Sequence, residues 1–196
     1  MLLPPPGRLE LVLQHTAEEI FEPGAVADAP FIRFAAYVAD RRIFGWVRLH
    51  EDRLTDLLNS HDELHLIDVG LESLPNGWPG LIDEVVVPRH ELIAVQASGP
   101  RGDPALRQAT RAHPIAVQSG RYLVCGYLHA PAGDDPIANA NARPAMVPLT
   151  DASIELWAHG RREHQASGTI IVNRDKADWI RLVSHEDLIE GNLRPD

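Results

Sequence analysis

His61 and His65 are the two residues whose spacing most resembles a metal site, because they stand four positions apart. On a helix that spacing would turn both imidazoles toward one ion. The surrounding residues instead predict a connection that enters a β-strand, where such positions share a face but lie too far apart for a single ion. The glutamate that zinc proteases carry directly after the first histidine is replaced by Asp62. We therefore assign no metal ligand, no cofactor and no catalytic residue.

Asp68 and Asp151 are the polar residues that recur most clearly, each as the third residue of a Leu-x-Asp segment. Both lie in predicted strands followed by a turn-like residue, so their simplest role is to accept hydrogen bonds from nearby backbone N–H groups. A catalytic pair across a pseudo-twofold axis is the alternative. The single cysteine, Cys125, cannot form an internal disulfide, and its apolar surroundings predict a buried thiol in a reducing compartment.

The recurrence of Leu-x-Asp belongs to a larger internal repeat. The offsets are 81 residues between Gly45 and Gly126, 83 between Asp68 and Asp151, and 85 between Arg89 and Arg174. The run Val85-Val86-Val87 returns in the same way as Ile170-Ile171-Val172. An offset that changes by so little indicates a duplicated unit with small loop insertions.

Each repeat has the pattern of a small β-structure. Residues 31–38 and 43–49 are rich in aromatic and β-branched residues and predict a hairpin, and a matching hairpin turns at Gly120 in the second copy. Residues 53–59 predict a short helical or irregular crossover, which proline and asparagines replace with a loop over 135–141. We expect an all-β fold with minor helix, consisting of two tandem small SH3-like or Sm-like β-barrels.

The domain boundaries follow from this pattern. We predict an N-terminal extension over residues 1–30, a first barrel repeat over 31–98, a linker over 99–112, a second barrel repeat over 113–184 and a C-terminal tail over 185–196. Within the extension, residues 8–14 predict a short strand and residues 16–21 predict one helical turn that Thr16 caps.

The order of the first repeat resembles the Sm-like branch of the SH3-like β-barrels. The resemblance rests on the glycine-containing strand, the R-L-T-D-L-L-N segment of residues 53–59, the Leu-x-Asp strand and the closing V-V-V-P-R-H-E-L-I segment. More narrowly, the 53–59 segment, the Leu-x-Asp strand and the V-N-R-D segment of residues 172–175 resemble an uncharacterised bacterial domain family with an R-L-S-D-x-L-N signature. The Sm-like resemblance implies RNA contacts at Asn59 and Arg89, with Asn139 and Arg174 as their mates.

Composition argues against nucleic acid and membranes as partners. The chain carries 28 acidic and 18 basic residues, a net charge of −10, so its average surface repels phosphate backbones and anionic lipid. No run approaches the roughly 20 apolar residues that a membrane helix needs. The first residues lack the basic region of a signal peptide and are interrupted by prolines. We therefore expect a cytoplasmic protein.

These observations favour an acidic, non-catalytic interaction module that forms homo-oligomers or joins a larger protein complex, because small barrels have edge strands that pair with neighbours. A small-molecule or metal-dependent activity at the cleft between the repeats is one alternative, and Sm-like RNA binding is another. Trp78 lies in a turn-rich loop, where its ring is either tucked under the loop or offered to a partner. The candidate interaction residues are Trp78, Asn59, Arg89, Arg174, Asp68 and Asp151.

Two juxtapositions would favour the alternatives. Cleft activity requires that Asp68, Asp151, His65 and Arg89 converge in one pocket. RNA binding requires that Arg33, Arg41, Arg42, Arg53 and Arg89 form one basic face.

Overall fold

The computed structural model describes residues 29–74, 79–100, 109–137, 143–158, 161–166 and 168–190. The first repeat contains β1 (Phe31–Tyr37), β2 (Arg41–Arg48), α1 (Leu54–Ser60), β3 (Glu63–Ser73), β4 (Pro79–Pro88) and β5 (Ala94–Gln96). The second contains β6 (Thr110–Ser119), β7 (Tyr122–Pro131), β8 (Met146–Ala158), β9 (Arg161–Ala166), β10 (Thr169–Asn173), β11 (Trp179–Leu182) and α2 (His185–Glu190). Single 3₁₀ turns at Arg89–Glu91 and Arg174–Lys176 precede β5 and β11.

The described strands form one antiparallel sheet in the order β11-β6-β7-β8-β10-β5-β1-β2-β3-β4, and β9 also pairs with β8. The prediction of an all-β fold with minor helix is confirmed. The two repeats are parts of a single 11-stranded sheet rather than two separate sheets, because β5 of the first repeat pairs with β10 of the second. Their assignment as tandem small barrels remains a prediction.

The same pairings recur in both repeats. In the first repeat β1 pairs with β2, β2 with β3 and β3 with β4, all antiparallel. In the second repeat β6 pairs with β7, β7 with β8, and β8 with both β9 and β10, again antiparallel. The last strand of each repeat returns to the first, so β5 pairs with β1 and β11 with β6. Phe34 opposes Gly45 in the first hairpin, and Ile115 opposes Gly126 in the second. The two hairpins therefore match residue for residue at the offset of 81.

A bulge interrupts the third strand of each repeat at its repeated aspartate. Asp68 has φ 51° and Asp151 has φ 46°, the left-handed region that few residues other than glycine, asparagine and aspartate occupy. The pairing register with the preceding strand shifts at the same level, beside Gly45 and beside Gly126. Because a bulge bends a strand and increases its twist, these positions let β3 and β8 curve around their cores.

The glycines opposite the bulges are required by close packing. A Cβ added at Gly45 would lie 3.0 Å from the carbonyl oxygen of Ile67. A Cβ added at Gly126 would lie 2.8 Å from the Cβ of Ala152 and 3.1 Å from the carbonyl oxygen of Thr150. Each glycine therefore brings its strand close to the bulge of the next.

Two large hydrophobic cores exchange residues between the repeats. The core lined mainly by the first repeat includes Met146 and Ile171 from the second. The core lined mainly by the second includes Tyr37, Leu74 and Ala94 from the first. Since each core is completed by the other repeat, separation of the repeats would expose apolar surface on both.

Several boundaries differ from the prediction. β6 begins at Thr110, within the predicted linker, and β9 is a strand that was not predicted from the sequence. The short helix α2 lies in the predicted C-terminal tail. The elements expected within residues 8–21, the ring of Trp78, and Asn139 all lie outside the described residues.

Candidate functional site

The junction between the repeats is a strand pair. β5 and β10 run antiparallel, and the opposed residues are Gln96 with Ile170, Val95 with Ile171 and Ala94 with Val172. Backbone hydrogen bonds extend this pair at both ends, from Asn173 N to Ile93 O and from Ala97 N to Thr169 O, both 2.9 Å. Val95 and Ile171 are fully buried. The junction thus combines main-chain hydrogen bonds with a buried apolar contact.

Two buried tyrosines close the junction on one side. The hydroxyl of Tyr37 donates to Oε1 of Gln165 at 2.7 Å and accepts from Nε2 of Gln96 at 3.1 Å. The hydroxyl of Tyr122 donates to the carbonyl oxygen of Val38 at 2.7 Å, and the two rings meet edge to face at 5.6 Å. Burial raises the pKa of both phenols, because it disfavours the charged form. The pair therefore stays neutral and hydrogen-bonded in the folded protein.

An arginine crosses the same boundary nearer to solvent. Nη2 of Arg42 lies 3.2 Å from Oε2 of Glu163 in the second repeat, and its Nη1 lies 3.6 Å from Oε2 of Glu72. Its guanidinium also stands over the ring of Tyr37, 5.5 Å from the centroid. Glu163 belongs to β9, so this strand contributes directly to the junction.

Asn59 is the predicted interaction residue that the structure places at the junction. From the end of α1 its Nδ2 donates to the carbonyl oxygen of Met146 at 2.9 Å, and its Oδ1 accepts from the backbone N–H of Met146 at 3.0 Å. Asn173 makes a comparable contact on the other side, where its Nδ2 donates to the carbonyl oxygen of Leu92 at 2.9 Å. Both asparagines replace backbone pairing partners across the boundary.

The two predicted arginines hold the turns before the last strands. Nη2 of Arg89 donates to Oδ1 of Asp62 at 2.7 Å and its Nη1 donates to the carbonyl oxygen of Asn59 at 3.3 Å. Nε of Arg174 lies 3.5 Å from Oδ1 of Asp175. Arg89 thus supports the helix that carries Asn59, and Arg174 has a local ionic partner.

The polar groups expected at a cleft have separate surroundings. His65 pairs with Glu84 on the neighbouring strand, and the backbone N–H of Asp151 donates to the carbonyl oxygen of Gly168 at 2.7 Å. Within the described residues, no hydrogen bond or ion pair joins any two of Asp68, Asp151, His65 and Arg89. The same part of the chain holds no group of three or more His, Cys, Asp or Glu arranged to bind a metal ion.

The five arginines considered for RNA binding are mostly engaged by carboxylates. Four have an acidic partner: Arg41 with Asp40, Arg42 with Glu72 and Glu163, Arg53 with Asp56, and Arg89 with Asp62. The hydrogen bond to Asp56, 2.7 Å long at Nε, raises the pKa of Arg53. Arg33 stands over the ring of Trp46 at 5.7 Å. Paired charges of this kind are poorly suited to a phosphate backbone.

The two strands at the ends of the sheet are the counterparts, in the other repeat, of the two strands that form the internal junction. β4 corresponds to β10, β11 corresponds to β5, and within the described sheet each of them has a strand on one side only. Val86 of β4 is 46% exposed, whereas its counterpart Ile171 is fully buried at the junction. The sequence indicated the correspondence between these strands. It did not indicate the difference in burial between Val86 and Ile171, because that difference depends on whether a neighbouring strand is present.

Chemically, these edges offer backbone N–H and C=O groups and apolar side chains, the features that recruit another strand. None of the described helices is long and apolar enough to cross a membrane. No family model, curated protein or solved structure matches this chain.

Proposed function

We propose that the chain is a non-catalytic assembly module of two tandem small SH3-like or Sm-like barrels that associates with copies of itself. In this proposal β4 of one copy pairs with β11 of the next, in the geometry of the internal junction. The supporting observation is the internal β5–β10 pair, because its two strands are the counterparts of β11 and β4 in the other repeat. We assign the module to the cytoplasm, where its one buried thiol remains reduced.

The internal junction predicts the register between copies. Val86 lies 85 positions before Ile171, and Ile180 lies 85 positions after Val95. Because Ile171 opposes Val95, Val86 is expected to oppose Ile180 of a second copy. The flanking pairs are then Val85 with Arg181 and Val87 with Trp179. Val86 would lose its exposure in this arrangement, as Ile171 has already done.

The proposed contact between β4 of one copy and β11 of the next is called the external junction. One residue difference between the repeats makes it weaker than the internal junction. The position of Asn173 is taken in the first repeat by Pro88. Asn173 gives the internal junction a backbone hydrogen bond to Ile93 and a side-chain hydrogen bond to Leu92. Proline has neither donor, so the external junction has two hydrogen bonds fewer. We therefore expect reversible association.

The proposed contact joins two different edges of the molecule. Such a head-to-tail contact closes into a ring if its rotation permits, and otherwise continues as an open chain. A larger complex that contains a compatible edge would be joined in the same way.

The test is the solution mass as a function of concentration, measured by light scattering on a sizing column. The parent chain is expected to exceed 21.7 kDa and to increase in mass with concentration. Val86→Lys is expected to raise the concentration of half-association by about tenfold or more, because it would bury an unpaired charge at the junction. In the monomer this position is exposed, so folding should be unaffected.

The matched control is Leu81→Lys, which adds the same charge to the same strand at a residue 87% exposed and outside the 85–87 stretch. It should leave the mass distribution unchanged. A parent chain that stays at 21.7 kDa at all accessible concentrations would refute self-association. A raised ratio of absorbance at 260 nm to that at 280 nm on the same peak would instead indicate bound nucleic acid.

A further inference from the structure

A row of four residues crosses the outer surface of the first repeat, one residue from each of four neighbouring strands. Cross-strand pairing places Arg33 of β1 beside Trp46 of β2. Trp46 in turn lies beside Ile67 of β3, and Ile67 lies beside Glu84 of β4. We call these four residues the outer row. From β1 to β4 the outer row consists of a cation, two apolar residues and an anion.

The outer row faces away from the core. Trp46 is 38% exposed, and the side chain of Glu84 is 57% exposed. Arg33 is exposed and stands over the ring of Trp46 at 5.7 Å, whereas the next residue, Phe34, is buried, as expected where alternate side chains face solvent and core. Phe31, 43% exposed, adds apolar surface beside Arg33. Exposed rings grouped in this way are typical of an interaction surface.

The second repeat shows that the fold does not require this order of residues. At the offsets of 81, 83 and 85 the counterparts of the outer row are uncharged, and they pair in the same order across β6, β7, β8 and β10: Pro114, Tyr127, Thr150 and Thr169. A hydrogen bond also joins Tyr127 to His185 of α2. The same sheet geometry therefore forms without charges at the ends of the row, and the order found in the first repeat is particular to it.

The order of the outer row is complementary to itself. A twofold axis that runs parallel to the strands, between β2 and β3, reverses the row in a second copy. Arg33 then lies opposite Glu84 of the second copy, and Trp46 lies opposite its Ile67. Each contact occurs twice, as in any isologous interface. Two sheets packed face to face with aligned strands have this geometry, and an apolar centre with opposite charges at its rim suits a protein interface.

The surroundings of the outer row limit the contact to one side of a bend. The bulge at Asp68 follows directly after Ile67, so β3 curves away from a second copy beyond this point. At the end of the row, Glu84 also pairs with His65 on the neighbouring strand. Because a carboxylate has two oxygens, each of which can accept hydrogen bonds, Glu84 can keep this pair while it also accepts from Arg33 of a second copy.

We infer that the outer row is a self-complementary surface through which two copies pack face to face as a closed dimer. The inference rests on the proposed self-association but not on the contact between β4 and β11, which uses strand edges rather than the face of the sheet. A twofold contact is complete at two copies. Where both contacts form, the face contact therefore joins chains made by edge pairing two by two.

The test reverses the charges at the two ends of the outer row in the full-length chain. In Arg33→Glu and in Glu84→Arg, twofold symmetry makes both end contacts repulsive at once. Each variant is expected to raise the concentration of half-association, measured by light scattering, by about tenfold. In an equal mixture of the two variants, the introduced glutamate faces the introduced arginine, and the native Glu84 of one chain faces the native Arg33 of the other. The mixture should therefore associate within about threefold of the parent concentration.

The matched control is Arg41→Glu, which makes the same change of charge on β2 outside the outer row, at a residue that pairs with Asp40. It should associate like the parent and gain nothing when it is mixed with Glu84→Arg. Edge pairing alone predicts that a mixture behaves as the average of its components, because residue 33 takes no part in it.

The double variant Arg33→Glu with Glu84→Arg exchanges the charges within one chain and should also associate like the parent. If the parent gains mass with concentration but the mixture and the double variant stay as weak as the single variants, the face contact is overturned while edge pairing stands. Recovery in both, combined with no effect of substitutions at the edge of β4, would support the face contact alone. A parent chain that stays at 21.7 kDa would overturn both contacts.

Discussion

At the scale of single residues, Asp68 and Asp151 show that a repeated acidic residue can have a role in backbone conformation. Both occupy the left-handed region at equivalent bulges. Their recurrence was visible in the sequence. Their φ angles were not predictable from it, because φ depends on the register of the paired strands. Aspartate tolerates this conformation because its short carboxylate can hydrogen-bond locally, whereas β-branched residues are strained there. Asn59 was predicted as an interaction residue, but its contact with Met146 of the second repeat was not, because the two residues are 87 positions apart in the chain.

We expect Asp68→Gly to retain the stability of the parent protein to within about 0.5 kcal/mol, since glycine adopts positive φ without strain. Asp68→Val is expected to lose about 1–3 kcal/mol of the free energy of unfolding, because valine is strained at φ 51°. Urea titration of both variants measures the difference. A large loss for glycine, comparable with that for valine, would mean that the carboxylate itself is needed.

At the scale of secondary-structure elements, the hairpins and the position of the crossover in the first repeat were predictable from local pattern. Residues 53–59 predicted a short crossover, either helical or irregular, and α1 spans Leu54–Ser60. β9 was missed because its polar residues, including His164 and Gln165, lack the alternation of a half-buried strand. The order of strands across the junction was not predictable, since it depends on pairing between residues far apart in the chain.

The close approach of the second and third strands predicts an asymmetric response to two glycine substitutions. Gly126→Ala should destabilise the protein by about 1–3 kcal/mol, because its Cβ would lie 2.8 Å from that of Ala152 and the strand must shift. Gly70→Ala is the matched control, since an added Cβ there meets nothing within 4 Å. It should be neutral or slightly stabilising. Thermal unfolding of the two variants compares them directly, and an equal loss of stability would argue against close packing at Gly126.

At the scale of the whole molecule, the duplication and the all-β character could be predicted from sequence, because they rest on recurrent landmarks and on runs rich in aromatic and β-branched residues. The union of both repeats in one sheet could not. The side chains that hold the two repeats together include Tyr37, Tyr122 and Gln165. None of them belongs to a repeated motif. Physically, a junction is specified by the fit of two surfaces, and neither surface is visible along the chain.

The buried tyrosines predict a loss of stability in alkali. Below about pH 10, the usual pKa of tyrosine, Tyr37 and Tyr122 are neutral in both the folded and the unfolded states. Above it they ionise in the unfolded chain but not in the fold, where burial raises the pKa of each. The free energy of unfolding should therefore fall as pH rises above 10, by up to about 1.4 kcal/mol per pH unit for each group.

Urea unfolding between pH 8 and pH 11 measures this slope. The double variant Tyr37→Phe and Tyr122→Phe is the control, because it lacks both ionisable hydroxyls. It should be less stable than the parent at pH 8, where it misses their hydrogen bonds, and should show a shallower decline above pH 10. Parallel declines for the two proteins would assign the alkaline sensitivity to other groups.

The β5–β10 pair also has a consequence for folding. The two repeats are joined by the chain between β5 and β6, which supplies a high effective concentration of one repeat near the other. The contact itself does not distinguish a repeat in the same chain from one in another chain. In a variant with a shorter connecting segment, the contact could not form within one molecule. Such a variant is therefore expected to exchange its second repeat with that of a second copy, giving a domain-swapped dimer with two native junctions.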